Sequence, residues 1–247
     1  MANYLVEQSA GGIIRAAFAI YGRHFVTLAL VYTVPTLPFT VLQQEAIANE
    51  MPVMTLIATL GAMLAGVFGF AAITVAVSDI CLGNQPSVGR SLSKAFGKLI
   101  GRLLVTGLLQ GLIVMAGLIL LVIPFFVFMI WFMFAQAIVV LEGRAGRDAL
   151  KRSKALGTGY HWRNAGVYAL VLVIIFVIGL LLGGVIGFVA ALLSVEVDQW
   201  WFRTLQAVIQ MGVFMPLLFV TITLIYYDLR VRKEGYDAQA LAEELAR

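Results

Sequence analysis

Two histidines, one cysteine and 13 carboxylates are the side chains through which this 247-residue chain could act as acid, base or metal ligand. Metal sites need several such ligands converging at close spacing, whereas His24 and His161 stand alone beside Arg23 and Trp162. No Gly-Lys-Ser/Thr sequence is present to cradle phosphates, and no serine sits in a nucleophile elbow. As the sole cysteine, Cys81 forms no intramolecular disulfide and reads as a small apolar residue near a helix end. A catalytic pair assembled across distant segments, with His24 or His161 in it, is the one enzymatic arrangement left open. The expectation is a non-enzyme without metal or cofactor, and the chemistry that remains is recognition of charge.

That charge is unevenly placed. Sixteen of the 17 Lys and Arg residues fall in four segments that alternate with long apolar stretches. These segments hold nine acids and carry a net +7, while Arg203 with Glu45, Glu50, Glu196 and Asp198 gives the other connections a net −3. Basic excess on one set of short connections marks the cytoplasmic side of a polytopic membrane protein. The composition agrees: 62% hydrophobic and 12% charged residues, about half the charge of an average soluble chain. Nucleic acid is not the expected partner, because these cations flank apolar runs, where anionic lipid and insertion bias account for them.

A bilayer core takes about 20 helical residues, and apolar runs occur at 25–44, 53–78, 103–123, 125–141, 165–193 and 204–227. Six spans put both termini on the same side, the cytoplasmic one by the charge pattern. The first run contains Pro35 and Pro38 and follows a long amphipathic segment, so it is expected to remain as a span and not to act as a cleaved signal. Arg203 beside Trp200 and Trp201 suits an interfacial anchor. Between spans three and four only Pro124 marks a turn; a tight apolar hairpin is expected, with a re-entrant pair as the alternative.

The expected fold class is therefore all-α, a single membrane domain of six transmembrane helices arranged as three hairpins, each preceded by an interfacial amphipathic helix. The three units, at about 6–80, 86–143 and 144–235 with a tail from 228, share one grammar. Gly12-Ile13-Ile14-Arg15, Gly89-Arg90-Ser91-Leu92 and Gly146-Arg147-Asp148-Ala149 open them. Arg23, Arg102 and Arg163 precede the spans, and Asp79, Glu142 and Asp228 close the even ones. In 87–100 Val88, Leu92, Ala95, Phe96 and Leu99 share one side, and Arg90, Lys94 and Lys98 another. Such a helix lies in the headgroup plane with cations on lipid phosphates. Arg90, Lys94, Arg102, Arg147, Lys151, Arg152 and Arg163 are the expected contacts to anionic membrane lipids or to a membrane-protein partner. Asp79, Glu142 and Asp228 are expected structural ties, with Glu142 placed to form a belt with Arg144, Arg147 and Arg163.

Small residues at four-residue steps let helices approach in lipid. Gly61, Ala65 and Gly69 form one series, Gly107 and Gly111 a second, and Gly179, Gly183 and Gly187 a third. They are expected to pack one protomer together, with a homodimer as the alternative. Gln206 and Gln210 share a face and are expected to hydrogen-bond across the bundle, with the lining of a small polar cavity as the alternative; Gln110 and Gln136 are the other in-span amides. Pro216 is expected to kink the last span, as Pro35 and Pro38 kink the first.

The stretch Ala137-Ile138-Val139-Val140-Leu141-Glu142-Gly143, with Asp148-Ala149-Leu150-Lys151-Arg152-Ser153, Trp162-Arg163 and Tyr227-Asp228-Leu229-Arg230-Val231-Arg232-Lys233-Glu234-Gly235-Tyr236-Asp237, resembles the membrane domain associated with glycerophosphoryl diester phosphodiesterases. The resemblance covers roughly residues 80–240. It implies a six-span bacterial inner-membrane protein linked to lipid or envelope. In fused members the chemistry belongs to a soluble barrel with paired histidines and metal-binding acids, which these 247 residues do not hold, so no activity is carried over.

Overall fold

A computed structural model describes residues 4–97, 99–120, 122–194 and 199–246; Lys98, Glu196 and Asp198 lie outside it. The described residues are helical from end to end: α1 (Ala10–Arg23), α2 (Phe25–Ala48), α3 (Pro52–Cys81), α4 (Val88–Phe96), α5 (Ile100–Leu120), α6 (Val122–Phe132), α7 (Ala135–Glu142), α8 (Gly146–Gly157), α9 (His161–Leu192), α10 (Trp200–Glu234) and α11 (Ala238–Ala246). Six stretches are long and apolar enough to cross a membrane: α2, α3, α5, Ile123–Glu142, α9 and α10. They overlap the six apolar runs of the sequence one for one, with ends that differ by a few residues, because about 20 apolar residues satisfy their own backbone only as helix. All-helical fold and multi-pass membrane character follow.

The centre belongs to α3 and α10, each 61% buried over its most apolar window, against 6% for α9. Tyr32, Phe70 and Phe219 meet there as ring contacts. Nearer the basic end, Ser78 and Tyr227 share a 2.5 Å hydrogen bond. Helices α2 and α10 run through Pro35, Pro38 and Pro216 without a break. The Tyr21 hydroxyl donates to the Val213 carbonyl at 2.5 Å, and the Gln8 amide donates to Asp228, so α1 lies along α10. Its Ile13, Ala17 and Ile20 are fully buried. One side of α4 and the apolar side of α8 likewise face protein: Ser91 and Ala95 of α4, and Ala149, Leu150, Ser153 and Leu156 of α8, are buried, while Phe96 of α4 is 43% exposed. The amphipathic segments thus give their inner faces to the bundle, where packed side chains supply closer contacts than lipid chains do.

One span read as continuous is divided. Between α6 and α7 the helix breaks at Met133–Phe134, and the freed backbone groups find partners on other elements. Ser153 of α8 donates to the Trp131 carbonyl (2.8 Å) and accepts from the Phe134 amide (3.2 Å). Gln110 of α5 donates its Nε2 to the Phe132 carbonyl (3.2 Å). Broken helices persist at membrane depth only where such groups are satisfied inside protein. Gly117 of α5 packs on the backbone at Pro124 and Phe125 and the Phe128 ring, which brings α5 and α6 close together.

The three glycine series have different fates. Gly69 receives the Tyr32 ring so closely that a Cβ would lie 2.6 Å from it, and Gly61 receives Phe39 in the same way. Gly107 touches Val67, but Gly111, one turn on, faces open space. Gly183 and Gly187 also face open space, so the α9 series packs nothing in the protomer beyond the Gly179 contact with Phe214. Because Tyr32 is buried and held against Phe219, Gly69→Ala is expected to destabilise by about 1–3 kcal/mol. Gly183→Ala is expected to leave stability unchanged. Unfolding midpoints in detergent check the contrast, and equal effects at the two glycines would contradict it.

Candidate functional site: the basic end and an amide-lined crevice

Gly143 (φ 67°) and Gly235 (φ 62°) end α7 and α10 in the left-handed region, which turns the chain towards α8 and α11. Those turns gather the basic segments around two buried acids. Asp228 accepts from the Gln8 amide (2.7 Å), from Arg163 Nη1 (2.6 Å) and from Arg232 Nε (3.0 Å). Arg163 and Arg232 both donate onward to the Gln8 carbonyl, and Arg232 reaches Glu7 at 2.9 Å. Glu142 accepts from Arg152 Nε (2.8 Å), the Tyr226 hydroxyl (3.1 Å) and Arg230 Nη1 (3.4 Å), with Arg144 at 3.3 Å. Arg152 continues to Glu234, and Arg230 to Glu234 and Glu244. Burial works against the charge on Arg152, yet its hydrogen bonds to Glu142 and Glu234 carry its pKa above the ordinary value.

Helix α11 is fastened into the same layer. Leu241 and Leu245 are buried, Tyr236 donates to Glu244 at 2.6 Å, and Lys94 of α4 donates to the Leu245 carbonyl. Burial, then Arg90, pulls the Lys94 ammonium below its ordinary pKa, while Asp79 pulls it up. Asp79 differs from the other two acids. It is fully buried with Arg90 Nη2 3.2 Å away, but the alignment is poor and neither oxygen accepts a hydrogen bond.

The seven expected contact cations therefore divide. Arg90, Lys94, Arg102, Arg152 and Arg163 all reach partners within the chain, Arg102 through the Gly143 carbonyl at 3.4 Å. Arg147 and Lys151, on the outer side of α8, are exposed and make no ion pair among the described residues. The expected belt is corrected: Glu142 keeps Arg144, but Arg163 goes to Asp228 and Arg147 points outward, with Arg152 and Arg230 in their places. Sequence reading missed Arg230, Tyr226, Glu234 and Glu244. The signal available was the four-residue spacing of Tyr226, Arg230 and Glu234, which puts the three on one helix face.

Gln206 and Gln210 do not share a polar cavity among those described. Gln206 is the sole polar side chain in an apolar groove of about 280 Å³ between α9 and α10, and Gln210 lines none of the described cavities. A larger crevice of about 530 Å³ lies between α3 and α5, bordered by α2, α6, α7 and α10, and is lined by Tyr32, Gln43, Thr59, Gln110 and Gln136 among apolar residues. It opens because α3 and α5 touch at Val67 and Gly107 and part at Gly111. Gln43 donates to Thr59 Oγ1 at 2.7 Å. Gln136 Nε2 donates to Gln110 Oε1 at 3.2 Å, and Gln136 Oε1 is buried without a partner.

His24 and Cys81 line one recess of about 440 Å³ at the basic end, with Arg23 and Asn84. No hydrogen bond joins them among the described residues. His161 packs on Gly157 instead. Among the described residues no group of three or more His, Cys, Asp or Glu is placed to hold a metal ion. Compared with family models, curated proteins and solved structures, the chain matches none of them. The fold itself defines a multi-pass helical membrane protein.

Removing Asp228 leaves Arg163 and Arg232, both mostly buried, without the carboxylate they share. Asp228→Ala is expected to destabilise by about 3–5 kcal/mol. Asp79→Ala is expected to cost clearly less, because half-exposed Arg90 rehydrates. Detergent unfolding midpoints decide, and equal losses would refute the distinction.

Proposed function

We propose that this protein is a non-enzymatic membrane module of the bacterial inner membrane, with both termini and the basic end in the cytoplasm, that docks anionic lipid headgroups at that leaflet. There it handles lipid, or scaffolds or regulates a membrane-protein partner. The net +7 on one set of connections against −3 on the other supports the orientation. The resemblance to the phosphodiesterase-associated membrane domain supports the link to lipid.

The observation that carries the reading is the free side of α8. Arg147 and Lys151 stay exposed while their neighbour Arg152 is spent on Glu142 and Glu234. Trp162, 91% exposed just beyond α8, adds an aromatic ring of the kind that settles at headgroup depth. Near an anionic surface each such cation contributes about 1 kcal/mol. A second reading, a transporter or flippase for a lipid or other amphipathic small molecule, draws on the crevice between α3 and α5.

The double variant Arg147→Gln/Lys151→Gln in nanodiscs is expected to lose at least about tenfold in preference for anionic over zwitterionic lipid, with its unfolding midpoint unchanged. Arg152→Gln and Arg163→Gln are expected to lower the midpoint instead. Lipid preference that survives the double variant would sink the docking role.

A further inference from the structure

The hydrogen-bond order in the crevice determines what it presents. The Phe132 carbonyl, freed by the break between α6 and α7, is able only to accept, so Gln110 must turn its Nε2 towards it. That places Gln110 Oε1 towards α7, and Gln136 must answer with its own Nε2. Rotating either amide by half a turn would set oxygen against oxygen. Gln136 Oε1 is thereby directed away from the chain of bonds. It is left an acceptor without a donor on a residue only 4% exposed, an arrangement that costs about 1–3 kcal/mol when nothing fills it.

The surroundings define the rest of the ligand. The lining contains no Asp, Glu, Lys, Arg or His, so a charged group would enter without compensation. Met63, Met129 and Met211 with Phe70 and Phe219 make the walls adaptable and apolar. The volume of about 530 Å³ falls within the range of roughly 300–1,000 Å³ for small-molecule sites. A smaller chamber of about 140 Å³ shares Phe70, Gln110, Met129 and Phe219 with it and extends the apolar path. Discontinuous helices border binding sites in membrane transport proteins for the same reason, since their unwound backbone orients polar groups.

We propose that the crevice between α3 and α5 binds the uncharged end of a long-chain lipid through an O–H or N–H donated to Gln136 Oε1, with the chain along the methionine and phenylalanine walls. The assignment rests on the crevice and not on the cations of α8, and it holds whether the occupant is moved or only held.

The test is equilibrium binding of tritiated hexadecanol to the full chain in detergent, with its methyl ether as competitor. One saturable equivalent is expected for the unaltered protein. The methyl ether, which has lost the donor and kept the chain, is expected to compete at least about tenfold more weakly. Gly111→Leu fills the crevice from a position where a Cβ meets nothing within 4 Å, and is expected to weaken binding at least tenfold at unchanged unfolding midpoint. Gln136→Met is expected to weaken it to a similar degree by removing the acceptor. Should Gln136→Met fail to fold, the methyl ether and Gly111→Leu still decide. Absence of saturable binding, a methyl ether as strong as the alcohol, or binding unaffected by Gly111→Leu would each overturn the proposal. Arg147→Gln/Lys151→Gln is expected to bind hexadecanol normally, so failure of headgroup docking and failure of the crevice are separately visible.

Discussion

Helices in lipid gain little from apolar contact with one another, because the chains around them are as apolar as the side chains they would bury. What holds this bundle in one arrangement is the pair of buried carboxylates, Glu142 and Asp228, at its basic end. Asp228 ties the N-terminal segment, α9 and α10 through the Gln8 amide, Arg163 and Arg232. Glu142 ties α7, α8 and α10 through Arg152, Arg230 and Tyr226, and Arg230 passes the connection to α11 through Glu244. Buried ion pairs of this kind set geometry more surely than they add stability. Through Arg152, Glu142 also holds α8 against the ends of α7 and α10.

The position of α8 matters because Ser153 is the residue that satisfies the break in the fourth span. Ser153 and Arg152 are neighbours in sequence and face different tasks: Arg152 reaches Glu142 and Glu234, while Ser153 bridges Trp131 and Phe134. With the break held open, the Phe132 carbonyl is free to orient Gln110, and Gln110 orients Gln136. An electrostatic tie at one end of the molecule is thus linked, through one serine and two amides, to the polar character of a crevice inside the bundle.

The threefold pattern of amphipathic helix, span, turn, span and acid conceals three different uses of the same parts. Asp79 is buried with one guanidinium nearby and no hydrogen bond to either oxygen, whereas Asp228 is fully engaged. Of the glycine series, that on α3 admits the rings of Phe39 and Tyr32, that on α5 marks where two helices part, and that on α9 faces outward over most of its length. Equivalent spacing supplies equivalent opportunities, and the neighbour that arrives decides which one is taken.

Helical class and the number and approximate positions of the apolar spans were determined by the sequence alone. Hydropathy summed over about 20 residues is a property of the segment itself, and a backbone in lipid has few ways to satisfy its polar groups. The roles of Asp79, Glu142 and Asp228 as partners of basic segments were legible for a related reason, since an acid at the end of an apolar run must find a cation. The identity of each cation was not. Arg163 goes to Asp228 and Arg230 to Glu142 because of which helix ends are brought side by side. In the same way, helical spacing put Gln206 and Gln210 on a shared face without saying what that face would meet, and it met an apolar groove. The break at Met133–Phe134 was hidden in an unbroken apolar run, because what makes it tolerable is a serine 20 residues away and a glutamine on another span. Only the tertiary structure decided these, since each depends on the contact between segments and not on the composition of either one.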